Sequence, residues 1–431
     1  MTHRTVGSKS DAVLVSRLQR AAFEYIIRYS NPINGLVADT SRPGSPSSIA
    51  VVGFGLACYP IAVERGWLRR AEASRRVLTT LRTLRDGPQG SEPDAMGYKG
   101  FYYHFLDMQS GRRVWNCEIS LIDTTLLLAG ILTAAQYFDA RGERELRDTA
   151  ALLYERIEWP WAQHDAPILS QGWHPQFGFL HYGWEGYNEA LILYVLGLGS
   201  PTLPLPKSSF ANWTLTYQWE RLLGQDVLYS GPLFTHLFSH AWIDFRAVHD
   251  EFMREKHSDY FQNTCRAIAL QREYCERNPR QAAGYGRDIW GISAGDGPTA
   301  PGRREFFSDN RHFGYMARGA PYGPDDGTLC PWAMLACLPF AADAALAGTR
   351  CLLATYPQVC PEDRFVSGFN PSVNTESGGW LSDGWYGLDQ GLLVMSIENA
   401  RSGLIWDLMR DSPAVRRGLK HCGFRGGWLG R

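Results

Sequence analysis

The stretch GWEGYNEA, residues 183–190, sets Glu185 and Glu189 four positions apart among Trp184, Tyr187 and Asn188, directly before an apolar run from Ala190 to Leu198. Paired carboxyls in dry surroundings suit the cleavage of a glycosidic bond. One carboxyl protonates the leaving oxygen while the other activates water or attacks the sugar carbon. The donor must keep its proton near neutral pH, and burial beside aromatic rings raises a carboxyl's pKa. Trp184 and Tyr187 offer the rings, and either glutamate offers the proton. If a helix has begun by Glu185, the spacing of four puts both carboxyls on one face. Acidic residues in a first helical turn also complement the helix dipole without any catalytic role. Both readings stand on these residues alone.

A second cluster lies in WNCEISLIDTTLLLAG, where Glu118 and Asp123 precede another apolar run, downstream of GFYYHFLD with Tyr103, His104 and Asp107. Here the plain alternative is capping, with Ser120 or Asp123 as the cap. Further candidates are His240 and Asp244 in SHAWIDFR, Asp296 in SAGDGP, Asp325 and Asp326 in GPDDGT, and Trp380, Asp383, Trp385, Tyr386 and Asp389 in GWLSDGWYGLDQG. Asp296–Gly297 and Asp325–Asp326–Gly327 read first as turns, and the histidines equally as hydrogen-bonded structural groups. No stretch has EF-hand spacing. No Walker loop, HExxH, GxSxG or zinc-spaced Cys/His set occurs, and GFGLAC and GYGRDIWG lack the full dinucleotide fingerprint. The chemistry left is that of carboxylates, which calls for no cofactor and no metal.

These residues must be held by helices. Helical periodicity runs over 11–30, 47–64, 70–86, 118–138, 144–157, 187–198, 208–223, 241–256, 259–278, 328–347 and 388–409. The loops between are rich in Gly, Pro, Asp and aromatics, and GFLHYGW is the best short strand candidate. No fixed repeat period supports a solenoid. About a dozen helices with chemistry in their loops predict an all-α toroid, in which an inner ring packs inside an outer ring and loops at one end form a cleft. No composition shift divides the chain, so residues 1–431 are expected to form one domain with short, poorly ordered ends.

Composition bounds the partners. The chain of 431 residues is 45% hydrophobic and 20% charged, as for a globular protein with a large core. Aromatics reach 13%, with 15 Trp and 20 Tyr, many in polar, Gly-containing stretches where they line a sugar groove or pack half-buried. A net charge of −1 without a basic run argues against nucleic acid and anionic membrane. The longest apolar run, LLLAGILTAA, is too short to span a bilayer. The start shows no apolar stretch with a cleavage site. Nine scattered cysteines form no CxxC pair, and Cys117 and Cys337 read as small core residues. A reducing cytoplasm is the expected compartment.

Seven strings occur in order from about residue 10 to 410: SRPGSPSSIAVVGFGLA, GYKGFYYHFLD with GRRVWNCEISLIDTTLLLAG, WEGYNEALILYVLGLGSP, GPLFTHLFSHAWIDFR, DGP, ARGAPYGPDDGTL and GLDQGLLVMSIENARSGLIW. Together they resemble the glucoamylase-like family, which includes the endo-β-1,2-glucanases of glycoside hydrolase family 144 and the central transglycosylase domain of cyclic β-1,2-glucan synthases. The resemblance implies an (α/α)6 toroid acting on a β-linked glucan. It carries functional weight to Glu189, Glu118, Asp123 and Asp389. Leu237 stands where relatives often have Gln, and Gly295 where many have Ser; many relatives are exported.

The resulting expectation is an inverting endo-β-1,2-glucanase. Glu189 is the favoured general acid with Glu185 beside it, and Glu118 or Asp123 orients water or acts as nucleophile. Asp389 binds sugar hydroxyls. Trp184, Tyr187, Tyr103, His104, Asp107, His240, Asp244, Trp380, Trp385 and Tyr386 complete the substrate site. A retaining transglycosylase, or a sugar-binding protein without catalysis, are the alternatives.

Overall fold

A computed structural model describes residues 7–298, 314–373 and 378–430. The outermost residues, expected to be poorly ordered, lie outside these. Helices dominate, and among the described residues no strand exceeds four residues.

Two kinds of helix alternate. Ile49–Glu64, Leu121–Tyr137, Leu191–Leu198, Leu233–Trp242, Pro331–Ala336 and Gly387–Arg401 are apolar on nearly every face and buried along most of their length. A helix of that kind can only sit inside. Lys9–Arg28, Arg70–Asp86, Arg144–Glu155, Tyr260–Arg277 and Ala342–Thr355 bury one stripe and expose the other; in Arg70–Asp86 the buried positions are Ala73, Val77, Thr80, Leu81 and Leu84. With Pro413–His421, which packs on Leu191–Leu198, these form the outer ring of an (α/α)6 toroid. One buried apolar cluster takes in residues from Val15 to Leu429.

The inner helices Ile49–Glu64 and Leu121–Tyr137 approach at two glycines. A Cβ on Gly53 would lie 2.4 Å from the Leu126 carbonyl oxygen, and one on Gly130 would lie 1.9 Å from that of Gly53. No side chain fits there, so the backbones themselves form the contact.

All six inner helices open into one set of loops. The Ile49 amide donates to the His104 carbonyl and the Gly387 amide to that of Asp39. The Leu233 amide donates to Ile292 and that of Cys330, just before Pro331, to Gly291. Ser239 Oγ accepts from the Ile192 amide and donates to the Glu189 carbonyl, tying the start of the Leu191 helix to the last turn of the Leu233 helix.

Several boundaries differ from the periodic pattern. The helix expected over 187–198 starts only at Leu191, because Asn188 Oδ1 accepts the Ala190 amide and holds 185–189 as a loop. Glu185 and Glu189 therefore do not share a helical face. The 208–223 segment is helical only over Ser208–Thr214 and continues into a hairpin, Trp219–Leu222 with Gln225–Leu228. The pattern at 241–256 is out of place: the inner helix is Leu233–Trp242, and Glu251–Glu255 is a separate turn capped by Asp250. Helix 328–347 divides around Pro339 into Pro331–Ala336 and Ala342–Thr355. Gly403, at φ 76°, ends the run expected to reach 409. GFLHYGW contributes only Gly178–Phe179, in a three-stranded sheet with Gly172–His174 and Ile119–Ser120.

Candidate active site

The loops before the inner helices bring one group of carboxyls together. Ser120 is the N-cap of the Leu121–Tyr137 helix, accepting the Asp123 amide at 3.2 Å, and its hydroxyl donates back to the Asp123 carboxylate. His104 joins Asp123 to Glu118. Its Nδ1 lies 2.9 Å from Glu118 Oε1 and its Nε2 3.4 Å from Asp123 Oδ2. The ring is stacked on Phe105 with centroids 4.0 Å apart.

Glu118 is presented by a distorted backbone. Trp115 and Asn116 both have positive φ, 57° and 50°, a costly conformation for residues other than glycine. His174 Nε2 donates to the Asn116 carbonyl at 3.0 Å, and Arg113 Nε donates to that of Cys117.

The electrostatics separate the carboxyls into two kinds. Burial would raise Glu118, but the positive His104 beside it outweighs burial and lowers it to about 2. His104 is itself raised to about 10: burial opposes its charge, but Asp123, Glu118 and Asp39 hold the proton on. Glu189 goes the other way. Burial and the nearby Asp123 raise its carboxyl to about 7 against the pull of a backbone N–H. An acid and a base working in one site need such a split.

A second wall comes from two loops and the Gly387–Arg401 helix. Arg42 reaches Asp296 at 2.5 Å and Asp383 at 2.7 Å. Asp296 also accepts from Tyr386 Oη at 2.8 Å and Ser382 Oγ at 2.5 Å. Asp39 is raised to about 7 by burial and by Asp123 and Asp296, which outweigh His104 and Arg42. Asp389 is buried, and its Oδ2 has no hydrogen-bond partner. Burial, with Asp296 and Asp39 nearby, holds it well above the usual carboxylate range. Asp39 and Asp123 thus face each other electrostatically across the cleft.

The sequence-derived candidates divide accordingly. Glu189, Glu118, Asp123, His104, Asp389 and Tyr386 belong to this cluster. Glu185 is exposed on the loop outside it. Trp184 and Tyr187 are buried behind Glu189, with Tyr187 against Tyr260 and His236, so they dry the site without offering it an open face. Tyr103 is fully buried, with Arg113 4.5 Å from its ring centroid. Asp107 holds its own turn, accepting from Gln109, Ser110 and the Ser110 hydroxyl. Trp385 donates to the Arg364 carbonyl and packs under that guanidinium; Trp380 is half-buried in the short pairing with Phe369–Asn370.

His240 and Asp244 lie outside the carboxyl cluster. His240 sits in the last turn of the Leu233–Trp242 helix, on the order of 10 Å along it from its first residue. Its ring contacts Thr264 Oγ1 and is enclosed by Phe245 and Phe340, and burial lowers its pKa to about 3. Asp244 pairs with Arg246 and Arg410. Both are structural there.

Asp39 and Arg42 were not singled out from sequence. The available signal was position: ADTSRPGSP precedes an apolar helix, just as the Glu118, Glu189 and Asp389 segments do. Asp296 reads as a turn in sequence, and its three side-chain partners appear only in the fold. The exposed Trp115, with Phe105 5.0 Å away, and the exposed Phe177 and Tyr182 likewise went unmarked.

Among the described residues no group of three or more His, Cys, Asp and Glu is arranged to hold a metal ion. The arrangement supplies proton donors and fixed carboxylates instead.

Comparison with known proteins bears on the family and the fold. Over 96% of its length the chain is 27% identical to the exo β-1,2-glucooligosaccharide sophorohydrolase (non-reducing end) of Parabacteroides distasonis, and it spans 58% of that relative's length. It superposes on a glucoamylase-type crystal structure from Bacteroides uniformis with TM-score 0.85 and 26% identity, covering 98% of this chain and 99% of that one. It superposes on the endo-β-1,2-glucanase of Chitinophaga pinensis, a complex with sophorotriose and glucose, with TM-score 0.83 over 98% of this chain and 100% of that one; at 23% identity this likeness speaks for fold alone. The Glycoamylase family model, described as "Putative glucoamylase", matches residues 181–413, a span that includes Glu189, Asp296 and Asp389. With more than half of its length matched, the chain belongs to the Glycoamylase family.

Proposed function

We propose that this chain is a glycoside hydrolase that cleaves β-1,2-linked gluco-oligosaccharides or glucan. One observation carries the reading: Glu189, which keeps a proton up to about pH 7, couples to Asp123, and Asp123 is joined through His104 to Glu118, which stays ionised down to about pH 2. A glycosidase needs that division between a donor and a carboxylate. The sophorohydrolase relative supplies the linkage.

Glu189 donates its proton to the glycosidic oxygen as the bond breaks. Asp123 or Glu118 orients the attacking water, and His104 holds both in place. Across the cleft, Asp389 and Asp39, both raised enough to carry a proton, bind sugar hydroxyls, while Arg42 and Tyr386 brace Asp296. Trp115, exposed beside Phe105, is the rim residue placed to meet a sugar face.

The test is incubation with linear β-1,2-glucan, with starch and β-1,3-glucan as controls. Only the β-1,2-glucan is expected to be cut, and release of the α-anomer first would identify inversion. Cleavage of starch alone, or binding without products, defeats the proposal. The identity to an exo-acting relative favours a second reading of the same chemistry, release of sophorose from chain ends. A product ladder of mixed lengths identifies endo action, and sophorose alone identifies exo action.

A further inference from the structure

His104 is contacted on both ring nitrogens by carboxylate oxygens, Glu118 Oε1 at 2.9 Å and Asp123 Oδ2 at 3.4 Å. A neutral imidazole has one donor nitrogen and one lone pair. In either tautomer that lone pair would face a carboxylate lone pair across one of these contacts. Between two ionised carboxylates, only the doubly protonated ring satisfies both. Phe105, stacked flat on the ring, prevents it from turning away from either partner.

The partners come from separate elements. Glu118 stands before the strand Ile119–Ser120, and Asp123 is in the first turn of the Leu121–Tyr137 helix. His104 itself lies between the strands Phe101–Tyr102 and Phe105–Leu106. Its backbone is anchored twice: its amide donates to the Glu118 carbonyl at 3.0 Å, and its carbonyl accepts the Ile49 amide at 3.2 Å.

We propose that, in the hydrolysis put forward above and resting on that reading, His104 is a positioning residue: as an imidazolium it ties Glu118 to Asp123 and holds the two on the base side of the reaction. The charged groups facing the tie are few. Asp39 adds negative charge from the loop before Ile49–Glu64, and Arg113 adds positive charge near Glu118. Glu189 couples to Asp123 from the loop before the next inner helix. His104 therefore sets the state of Glu118, which stays ionised, and the donor is found among the groups it does not touch.

Two measurements test this. The first needs no substrate: by NMR of the ¹³C-labelled imidazole, the His104 ring is expected to remain doubly protonated at pH 8 in the intact protein. In Glu118→Gln its pKa is expected to fall by at least one unit. A ring that titrates near 6.5, or is indifferent to Glu118→Gln, overturns the proposal. The second is the pH profile of kcat/KM on a β-1,2-gluco-oligosaccharide. His104→Gln, which keeps a donor but no charge, is expected to raise the acidic limb by at least one pH unit and leave the alkaline limb in place. A uniform fall in kcat/KM with unmoved limbs assigns His104 a merely structural role and also overturns it. If no β-1,2-glucan is cut, the functional reading fails and the NMR titration still decides the state of His104.

Discussion

Glu189 and Glu118 are the same residue type in similar settings, each just before an inner helix, yet their protons behave oppositely. Glu189 has burial and a negative neighbour; Glu118 has an imidazolium at 2.9 Å. Glu189→Gln is expected to keep the fold by circular dichroism and to lower turnover by a factor on the order of 10² or more. Glu185→Gln, on the exposed loop, is expected to change it little; equal losses in the two would remove Glu189 as donor. The acid works only while protonated, so kcat/KM should fall as pH rises through about 7. A rate that stays level to pH 9 contradicts that assignment. The His104–Glu118 tie also affects stability. Glu118 lies below its ordinary 4.5, so its contribution is complete above pH 4.5 and is lost as pH falls through about 2. His104 lies above its ordinary 6.5, so its contribution is complete below pH 6.5 and is lost as pH rises through about 10. The melting-temperature difference between wild type and His104→Gln should be widest between those bounds, pH 4.5 to 6.5, and close towards pH 10.

Position along each inner helix decides what its residues do. Side chains at the opening turns face the cleft, as Asp123 and Asp389 do, and those further along pack the barrel. Asp244, beyond the far end of Leu233–Trp242, shows the second case. It pairs with Arg246 and Arg410, and its carbonyl accepts from Trp428 Nε1 at 2.7 Å. Asp244→Ala leaves Arg246 and Arg410, each about a third exposed, without their buried partner and is expected to cost about 1.5–3 kcal/mol in urea unfolding, with KM unchanged at permissive temperature. A raised KM without loss of stability would return Asp244 to the substrate site. The glycine contact sets a similar test. Gly130→Ala drives a methyl into the Gly53 carbonyl and is expected to destabilise by at least about 1–3 kcal/mol. Gly142→Ala, which meets nothing within 4 Å, serves as the control.

Closing a ring of six helix pairs puts six loop clusters at one mouth. Residues as distant in sequence as Arg42 and Asp296, or Asp123 and Glu189, thereby share one cleft. Among the described residues no helix is long and apolar enough to cross a membrane. The exposed aromatics Trp115, Phe177 and Tyr182 gather around the sheet that joins Ile119–Ser120 to Gly172–His174 and Gly178–Phe179, on the Glu118 side. Trp115→Ala is expected to raise KM for a longer β-1,2-gluco-oligosaccharide several-fold with kcat retained, as for loss of binding felt equally in ground and transition states. A fall in kcat at constant KM would instead place Trp115 in the chemistry.

Apolar runs before which carboxylates stand, separated by amphipathic helices, are a local pattern, and local patterns are what a chain displays directly. The toroid was legible for that reason, as were Glu118, Asp123, Glu189 and Asp389. Helix ends were less so. Asn188 holds 185–189 out of the Leu191 helix, and the helix at 233–242 was displaced in the periodic reading because flanking apolar residues continue the pattern. What the tertiary structure alone decided is how charge is shared. No spacing in sequence indicates that His104 stands between Glu118 and Asp123, that Arg42 reaches Asp296 across 254 residues, or that His240 lies at the far end of a barrel helix. A carboxyl's pKa depends on the groups within a few ångströms and on the water excluded around it, and both are properties of the closed ring.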